Sequence, residues 1–350
     1  MKKGIDIFSG AGGMSLGAMN AGIDIVLAID SDTNAAKTFA RNHPNSTFII
    51  EDICKIQLEK KYKEDVFVVL GGPPCQGFSL SNTKTRNTEN PNNSLFKQFL
   101  RIVREVNPLW FVFENVEGIT NFNKGKTVLE IKKSFDDLGY QTKEDVLYAS
   151  DYGVPQHRNR FFMVGNRINI EFEFPPKKTE SVTVEEAIAD LPNLKNGDMY
   201  ECLPYKMHSD LSEYAELMRK NSTNSSQNYV SRNADYVIER YKYIKQGENW
   251  KAIPEHLMAN YKNKNNCHSG IYKRLEANKP SVVISNYRKN MLIHPSSDRG
   301  LSVREAARLQ SFPDTFRFEG TLMHIQQQIG NAVPPLLAEA IFKQILSYED

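Results

Sequence analysis

The sharpest chemistry in this chain belongs to a cysteine, Cys75, in the run Gly71-Gly72-Pro73-Pro74-Cys75-Gln76-Gly77. Two prolines stiffen the backbone just ahead of it. Glycines and a glutamine are poor core material, so the setting favours a presented thiol over the small buried residue that a lone cysteine usually is. A free thiol has a reference pKa of about 8.5, so a nucleophilic role needs activation by the site. A second candidate is Glu114, which leaves an apolar run in Glu114-Asn115-Val116. A carboxylate there needs a partner or a task. A third group is Gln156-His157-Arg158-Asn159-Arg160. Its arginines suit carbonyl or phosphate oxygens, or a salt bridge to nearby acids. Alternation predicts Gln156, Arg158 and Arg160 on one face.

A fourth constellation points to a cofactor. The turn Phe8-Ser9-Gly10-Ala11-Gly12-Gly13 joins a predicted strand to a predicted helix. Glycines there let a ligand approach the backbone, with helix N–H groups facing it. Asp30 ends the second predicted strand, where an acid commonly holds a ribose hydroxyl pair. Asp52 follows the third and is placed to accept from an adenine amino group. Together they suggest an adenosine-containing cofactor, although a plain tight turn accounts for the glycines equally well. Ser15 stands where the dinucleotide pattern has its last glycine, and no Lys-Ser/Thr follows, so a triphosphate loop is disfavoured.

These residues need a frame to hold them. Short apolar runs alternate with helical periodicity through the first half of the chain, which is the mark of a parallel sheet in an α/β domain. Strands are predicted at Gly4–Phe8, Ile25–Ile29, Thr47–Ile50, Val66–Leu70, Trp110–Phe113, Asp145–Ala149 and Phe161–Val164. Helical spacing runs from Leu95 to Val106, from Val128 to Leu138, from Val303 to Leu309 and from Leu336 to Leu346. Between about Pro175 and Pro295 the pattern fades, and Asn221–Gln227 reads as a loop. A second, smaller domain is expected there.

The chain has 350 residues and a net charge of +2. From Lys195 to Arg299 there are 17 Lys/Arg against 11 Asp/Glu. Charge alone leaves a polyanion-facing surface and a solvated lysine-rich one equally open. Cys54, Cys75, Cys202 and Cys267 are far apart, so neither a structural zinc site nor a disulfide scaffold is expected, and no metal is assigned. Asp6, Asp24 and the glycine cluster interrupt the N-terminal apolar stretch, which rejects a signal peptide. No apolar run is long enough to span a membrane. A cytoplasmic enzyme is expected.

Six segments appear in one order: Phe-x-Gly-x-Gly-Gly, Pro-Pro-Cys-Gln, Glu-Asn-Val, Gln-x-Arg-x-Arg, Arg304-Glu305-Ala306-Ala307-Arg308 and Gly330-Asn331-Ala332-Val333-Pro334-Pro335. The last two, considered alone, read as structural. As an ordered set the six resemble the DNA (cytosine-5) methyltransferase family, of the prokaryotic and phage modification type, across nearly the whole chain. One motif departs from the family: Asn93-Ser94-Leu95-Phe96 has no arginine before Leu-Phe. The resemblance implies a Rossmann-like S-adenosylmethionine-dependent domain (1–180 and 321–350) with a mostly parallel seven-stranded sheet. It also implies a smaller, irregular target-recognition domain (181–320). It implies Cys75 as nucleophile, Glu114 and Arg158 on the cytosine ring, and Gln156 and Arg160 bracing the site. Phe8, Gly10, Ala11, Gly12, Gly13, Asp30, Asp52, Ile53, Pro73, Leu95, Asn331 and Val333 would bind S-adenosylmethionine. The implied partner is double-stranded DNA, with the chain acting as a monomer, and a cognate restriction endonuclease is admitted as a companion. The alternative reading is a transfer RNA cytosine-5 methyltransferase of the same fold. A nicotinamide oxidoreductase would account for the first 60 residues only.

Overall fold

Seven apolar runs become the strands of one sheet in the computed structural model, which describes residues 1–74, 95–207, 210–259 and 270–349. In chain order the elements begin β1 (Lys2–Ile7), α1 (Gly13–Ala21), β2 (Ile23–Asp30), α2 (Thr33–Asn42), β3 (Thr47–Ile50), β4 (Val66–Gly71) and α3 (Leu95–Val106). There follow β5 (Trp110–Val116), α4 (Lys126–Asp136), β6 (Gln141–Tyr148) and β7 (Asn159–Asn166). Then come α5 (Val184–Ile188), β8 (Met199–Pro204), α6 (Glu213–Arg219), β9 (Asn224–Tyr229), α7 (Asp235–Tyr241), α8 (Val303–Leu309), α9 (Leu322–Asn331) and α10 (Pro335–Leu346). All seven expected strands form, several of them longer than the apolar pattern alone implied.

The sheet order is β3-β2-β1-β4-β5-β7-β6. The pairs β1/β2, β1/β4, β2/β3 and β4/β5 are parallel, whereas β7 runs antiparallel to β5 and β6. The order therefore reverses between β1 and β4, and ligands of open α/β sheets sit beyond the carboxyl ends of strands at such a point. The segments leaving those two ends are the glycine turn and the Pro-Pro loop. The strands sit against helices whose apolar residues recur at helical spacing. On α3, Phe99, Ile102, Val103 and Val106 are buried, and the Phe99 ring meets Phe111, Phe113 and Phe135 edge-on. Such pairs add roughly 0.5–1.5 kcal/mol beyond the area that they bury.

By packing, the chain falls into two compact units. The first holds 1–152, 159–178 and 333–350; the second holds 153–158 and 179–332. Relative to the expected spans, 153–158, 179–180 and 321–332 fall in the second unit. The second unit carries a two-stranded antiparallel sheet, β8 with β9. Part of the stretch expected as a loop, Asn221–Gln227, thus lies in a strand. Its polar composition misleads because the polar groups are buried and bonded. Ser226 accepts from Arg304 at its carbonyl (3.0 Å) and its hydroxyl (2.9 Å). The Gln227 amide donates to the Phe318 carbonyl at 2.8 Å and accepts from the Phe318 N–H at 3.0 Å. Among the described residues no helix is long and apolar enough to cross a membrane.

Candidate active site

In the first unit, the glycine turn is held from both sides. The Phe8 N–H donates to the Ile29 carbonyl at 2.9 Å, which fastens the end of β1 to β2. The Gly10 N–H donates to Asp30 Oδ2 at 2.8 Å, and the Asp32 N–H to Asp30 Oδ1 at 2.9 Å. A Cβ at Gly10 would meet nothing within 4 Å among the described residues. Gly12 is the opposite case. Its φ is +90°, and a Cβ would lie 2.6 Å from His43 Nε2 and 2.8 Å from Phe39 Cδ2. Only glycine fits both the angle and the space. Ala11 is buried, and Gly13 begins α1. Burial raises the Asp30 carboxyl above its usual range, against the opposing pull of the two N–H groups.

The other expected cofactor residues of this unit are spread along the same strand ends. Asp52 is exposed and caps a short turn, accepting from the Cys54 N–H at 2.9 Å, which holds its carboxyl below the usual range. Ile53 is buried, and its carbonyl accepts from Arg101 Nη2 at 2.8 Å. The Pro73 carbonyl accepts from Asn115 Nδ2 at 3.4 Å. Leu95 starts α3 and packs against the main core, and Val333 is buried ahead of α10.

Glu114 lies near the carboxyl end of β5 and is 9% exposed. Its Oε1 receives Arg160 Nε at 2.8 Å. Its Oε2 faces Gly72 so closely that a Cβ on Gly72 would lie 2.3 Å away. The glycine before the Pro-Pro loop therefore makes room for the carboxylate. Burial lowers the Arg160 guanidinium pKa, and the Glu114 charge opposes that shift. Strands β5 and β7 set this pair in register, with Glu114 opposite Phe162 and Val116 opposite Arg160. Cys75 lies outside the described residues, as do Asn93 and Ser94.

Gln156 and Arg158 belong to the second unit. The expectation of one face shared by Gln156, Arg158 and Arg160 is corrected: β7 begins only at Asn159. Residues 155–157 instead bond to the segment around Ser281, with His157 N–H to the Ser281 carbonyl at 2.8 Å and Ser281 N–H to the Pro155 carbonyl at 2.9 Å. Arg158 is 1% exposed, donating to the carbonyls of Ile284 (3.0 Å) and Gly330 (2.8 Å). The Gln156 amide donates to the Leu309 carbonyl at 3.0 Å and accepts from the Ile284 N–H at 2.8 Å. Asn331 ends α9 and accepts from Gln327 at 2.6 Å.

Three side chains under the glycine turn escaped the sequence reading. Asp6, 1% exposed, accepts from the Ser15 hydroxyl at 2.5 Å. Its Oδ1 has no hydrogen-bond partner among the described residues. Burial pushes its carboxyl up to about 8. His43 is fully buried, and burial pushes its imidazole down to about 4, so it is neutral at physiological pH. An acid in the middle of an apolar strand was the available signal for Asp6. Nothing comparable marked His43.

Comparison with known proteins places this geometry. A family model described as C-5 cytosine-specific DNA methylase matches residues 2–347. The Type II methyltransferase M.DdeI of Desulfomicrobium norvegicum is 38% identical, over 98% of this chain and 88% of the relative. M1.HphI of Haemophilus parahaemolyticus is 36% identical, over 98% and 86%. A solved structure titled as a DNA modification methyltransferase encoded within an E. coli prophage superposes with a TM-score of 0.80 at 30% identity, covering 99% of each chain. The match leaves no place for the nicotinamide reading. The chain therefore belongs to the C-5 cytosine-specific DNA methylase family and is a DNA (cytosine-5) methyltransferase.

Proposed function

We propose that this chain moves the methyl group of S-adenosylmethionine to carbon 5 of a cytosine turned out of duplex DNA, through a transient bond from Cys75 to carbon 6. The observation that carries the reading is the arrangement at the sheet edge of a cytosine-5 family member. The glycine turn follows β1, the Pro-Pro loop that leads to Cys75 follows β4, and Glu114 lies at the end of β5. S-adenosylmethionine, when bound, supplies an electrophilic methyl group. The residues suit such a donor. Among the described residues nothing crowds a Cβ at Gly10, and each Asp30 oxygen accepts one backbone N–H while a carboxylate oxygen has about two acceptor sites. That leaves capacity for a ribose diol, with Asp52 toward the adenine.

Carbon 5 of cytosine is a weak nucleophile within an aromatic ring. Formation of the sulfur–carbon 6 bond breaks that aromaticity and makes carbon 5 enamine-like, so one hard step becomes two easier ones. Glu114, steadied by Arg160, would share a proton with ring nitrogen 3, and Arg158 would donate to oxygen 2; both interactions stabilise the negative charge that builds during addition. Carbon 5 then takes the methyl group as the methyl–sulfonium bond breaks to leave a neutral thioether; the carbon 5 proton passes to water, and the electron pair re-forms the 5,6 double bond and expels the Cys75 thiolate. Turning the base out costs a few kcal/mol, which phosphate contacts from the basic second unit offset.

Bisulfite sequencing of DNA from cells expressing the chain tests the whole reading. Protected cytosines in one sequence context are expected, and Cys75→Ser should remove them. Methylated transfer RNA beside unprotected DNA would replace this reading with the RNA one.

A further inference from the structure

The basic excess of the second unit is not spread evenly among free cations. Most of its arginines are committed internally. Arg299 pairs with Glu305 at 2.7 Å, and Arg308 with Asp190 and Asp314. Arg304 donates to Ser226 and Phe316, while Arg240 donates to the Leu257 carbonyl. Arg274 donates to the Ser297 carbonyl at 3.0 Å and also pairs with Asp298. Arg219 stacks 4.0 Å over Tyr205 with Asp190 nearby, and Arg317 meets Glu201 at 3.0 Å. Arg158 is held by the main-chain carbonyls of Ile284 and Gly330. Two arginines remain, Arg232 and Arg288. Both are exposed, and neither has a carboxylate partner among the described residues.

These two are neighbours, and each is set in place. Arg288 Nη1 donates to Asn233 Oδ1, and its Nη2 reaches the Arg232 carbonyl at 3.4 Å. Asn233 is buried and locked in turn by Asn196 and Tyr241. The loop that carries Arg288 is rigid: Tyr287 is buried within it, the Lys289 N–H caps onto Asn286 Oδ1 at 3.1 Å, and Asn290 donates to Ser285 at 2.8 Å. The aliphatic stem of Arg232 lies over Gly197, where a Cβ would be 3.2 Å from it. The Arg288 guanidinium thus lies against the main chain of Arg232, and two cations on adjoining segments with no carboxylate partner among the described residues favour an anion. Fixing them beforehand lowers the entropy that binding must overcome.

We propose that Arg232 and Arg288 form a preorganised clamp for the phosphodiester backbone of the DNA substrate, a refinement that rests on the DNA reading above. Phosphate is favoured over a base edge because the inner edge of the Arg288 fork is already fastened to Asn233 and to the Arg232 carbonyl, whereas bidentate base reading needs an unencumbered fork.

The test is binding of the full chain to a fluorescein-labelled duplex of mixed sequence, followed by anisotropy across a sodium chloride series. Removing one arginine–phosphate interaction should flatten the slope of log K against log salt by about 0.9. Arg232→Gln and Arg288→Gln should each show that change, and the double variant about twice as much. Arg288→Lys should restore most of the slope, which separates the missing charge from a damaged loop. Lys279→Gln removes an exposed cation already paired with Glu276 and should change nothing. A double variant with the wild-type slope overturns the clamp, as does an equal effect from Lys279→Gln. Relaxed preference at one base pair with an unchanged slope assigns the arginines to base reading instead. Wild-type protein that binds no duplex and methylates none would sink the DNA reading itself, a different failure.

Discussion

Two buried ionic arrangements in this molecule use the same residue types to opposite ends. In the second unit, Arg308 engages all five of its N–H groups. Nε and Nη2 donate to Asp314 at 2.9 and 2.7 Å, Nη1 and Nη2 to Asp190 at 2.6 and 3.1 Å, and Nη1 also to the Ala187 carbonyl at 3.0 Å. Asp314 accepts from Tyr205 as well. In the first unit, Glu114 Oε1 receives Arg160 Nε at a strand end, and Gly72 makes room for Oε2. A guanidinium has five donors and a carboxylate about four acceptor sites. The first arrangement exhausts the donors of Arg308 on buried partners and holds structure together. The second places a carboxylate at the end of β5, where we propose that it meets the cytosine. Place in the fold, more than burial, is the proposed difference between scaffold and chemistry here.

That contrast can be broken by experiment. Arg308→Met leaves Asp190 and Asp314 buried without that cation, and should cost about 3–5 kcal/mol of stability, read from urea unfolding. A decrease under about 1 kcal/mol would mean that the network is not a scaffold element. Glu114→Gln should behave in the reverse way. Its urea midpoint should stay near wild type while kcat falls roughly a hundredfold to a thousandfold, since it removes charge stabilisation and little packing. If Glu114→Gln unfolds as readily as Arg308→Met, the distinction between the two sites fails.

A further prediction concerns the acid beneath the glycine turn. Asp6 keeps its proton in the folded chain up to about pH 8, whereas in the unfolded chain it loses it near pH 4. Between those values the folded state binds the extra proton, so this group's share of stability falls as pH rises from about 4 to about 8. Asp6→Asn should flatten that part of the stability profile. Identical slopes for wild type and variant would show that Asp6 is ionised in the fold.

Much of the first unit was legible because its physics is local. Strands buried on both faces read as apolar runs, and α3 and α10 end where their spacing ends. The glycine turn and the Glu114 strand end were also visible, since each breaks a pattern at a point where a break needs a reason. The second unit was less legible. Its strand β9 is built from Asn, Ser and Gln whose partners, Arg304 and Phe318, lie about 80 to 90 residues away. Alternation misled at 156–158 because those residues leave the sheet for long-range bonds that no window of sequence contains. The pairing of Glu114 with Arg160 needed the antiparallel register of β7 on β5, which is a tertiary fact.

The most direct measurement is covalent trapping. Duplex DNA carrying 5-fluorocytosine at the methylated position should form a stable adduct when incubated with the protein and S-adenosylmethionine, because fluorine cannot depart as a proton does. Peptide mapping should place the DNA on Cys75, and Cys75→Ser should yield no adduct. An adduct on any other residue, or methylation of the normal duplex by Cys75→Ser, would contradict catalysis by this thiol.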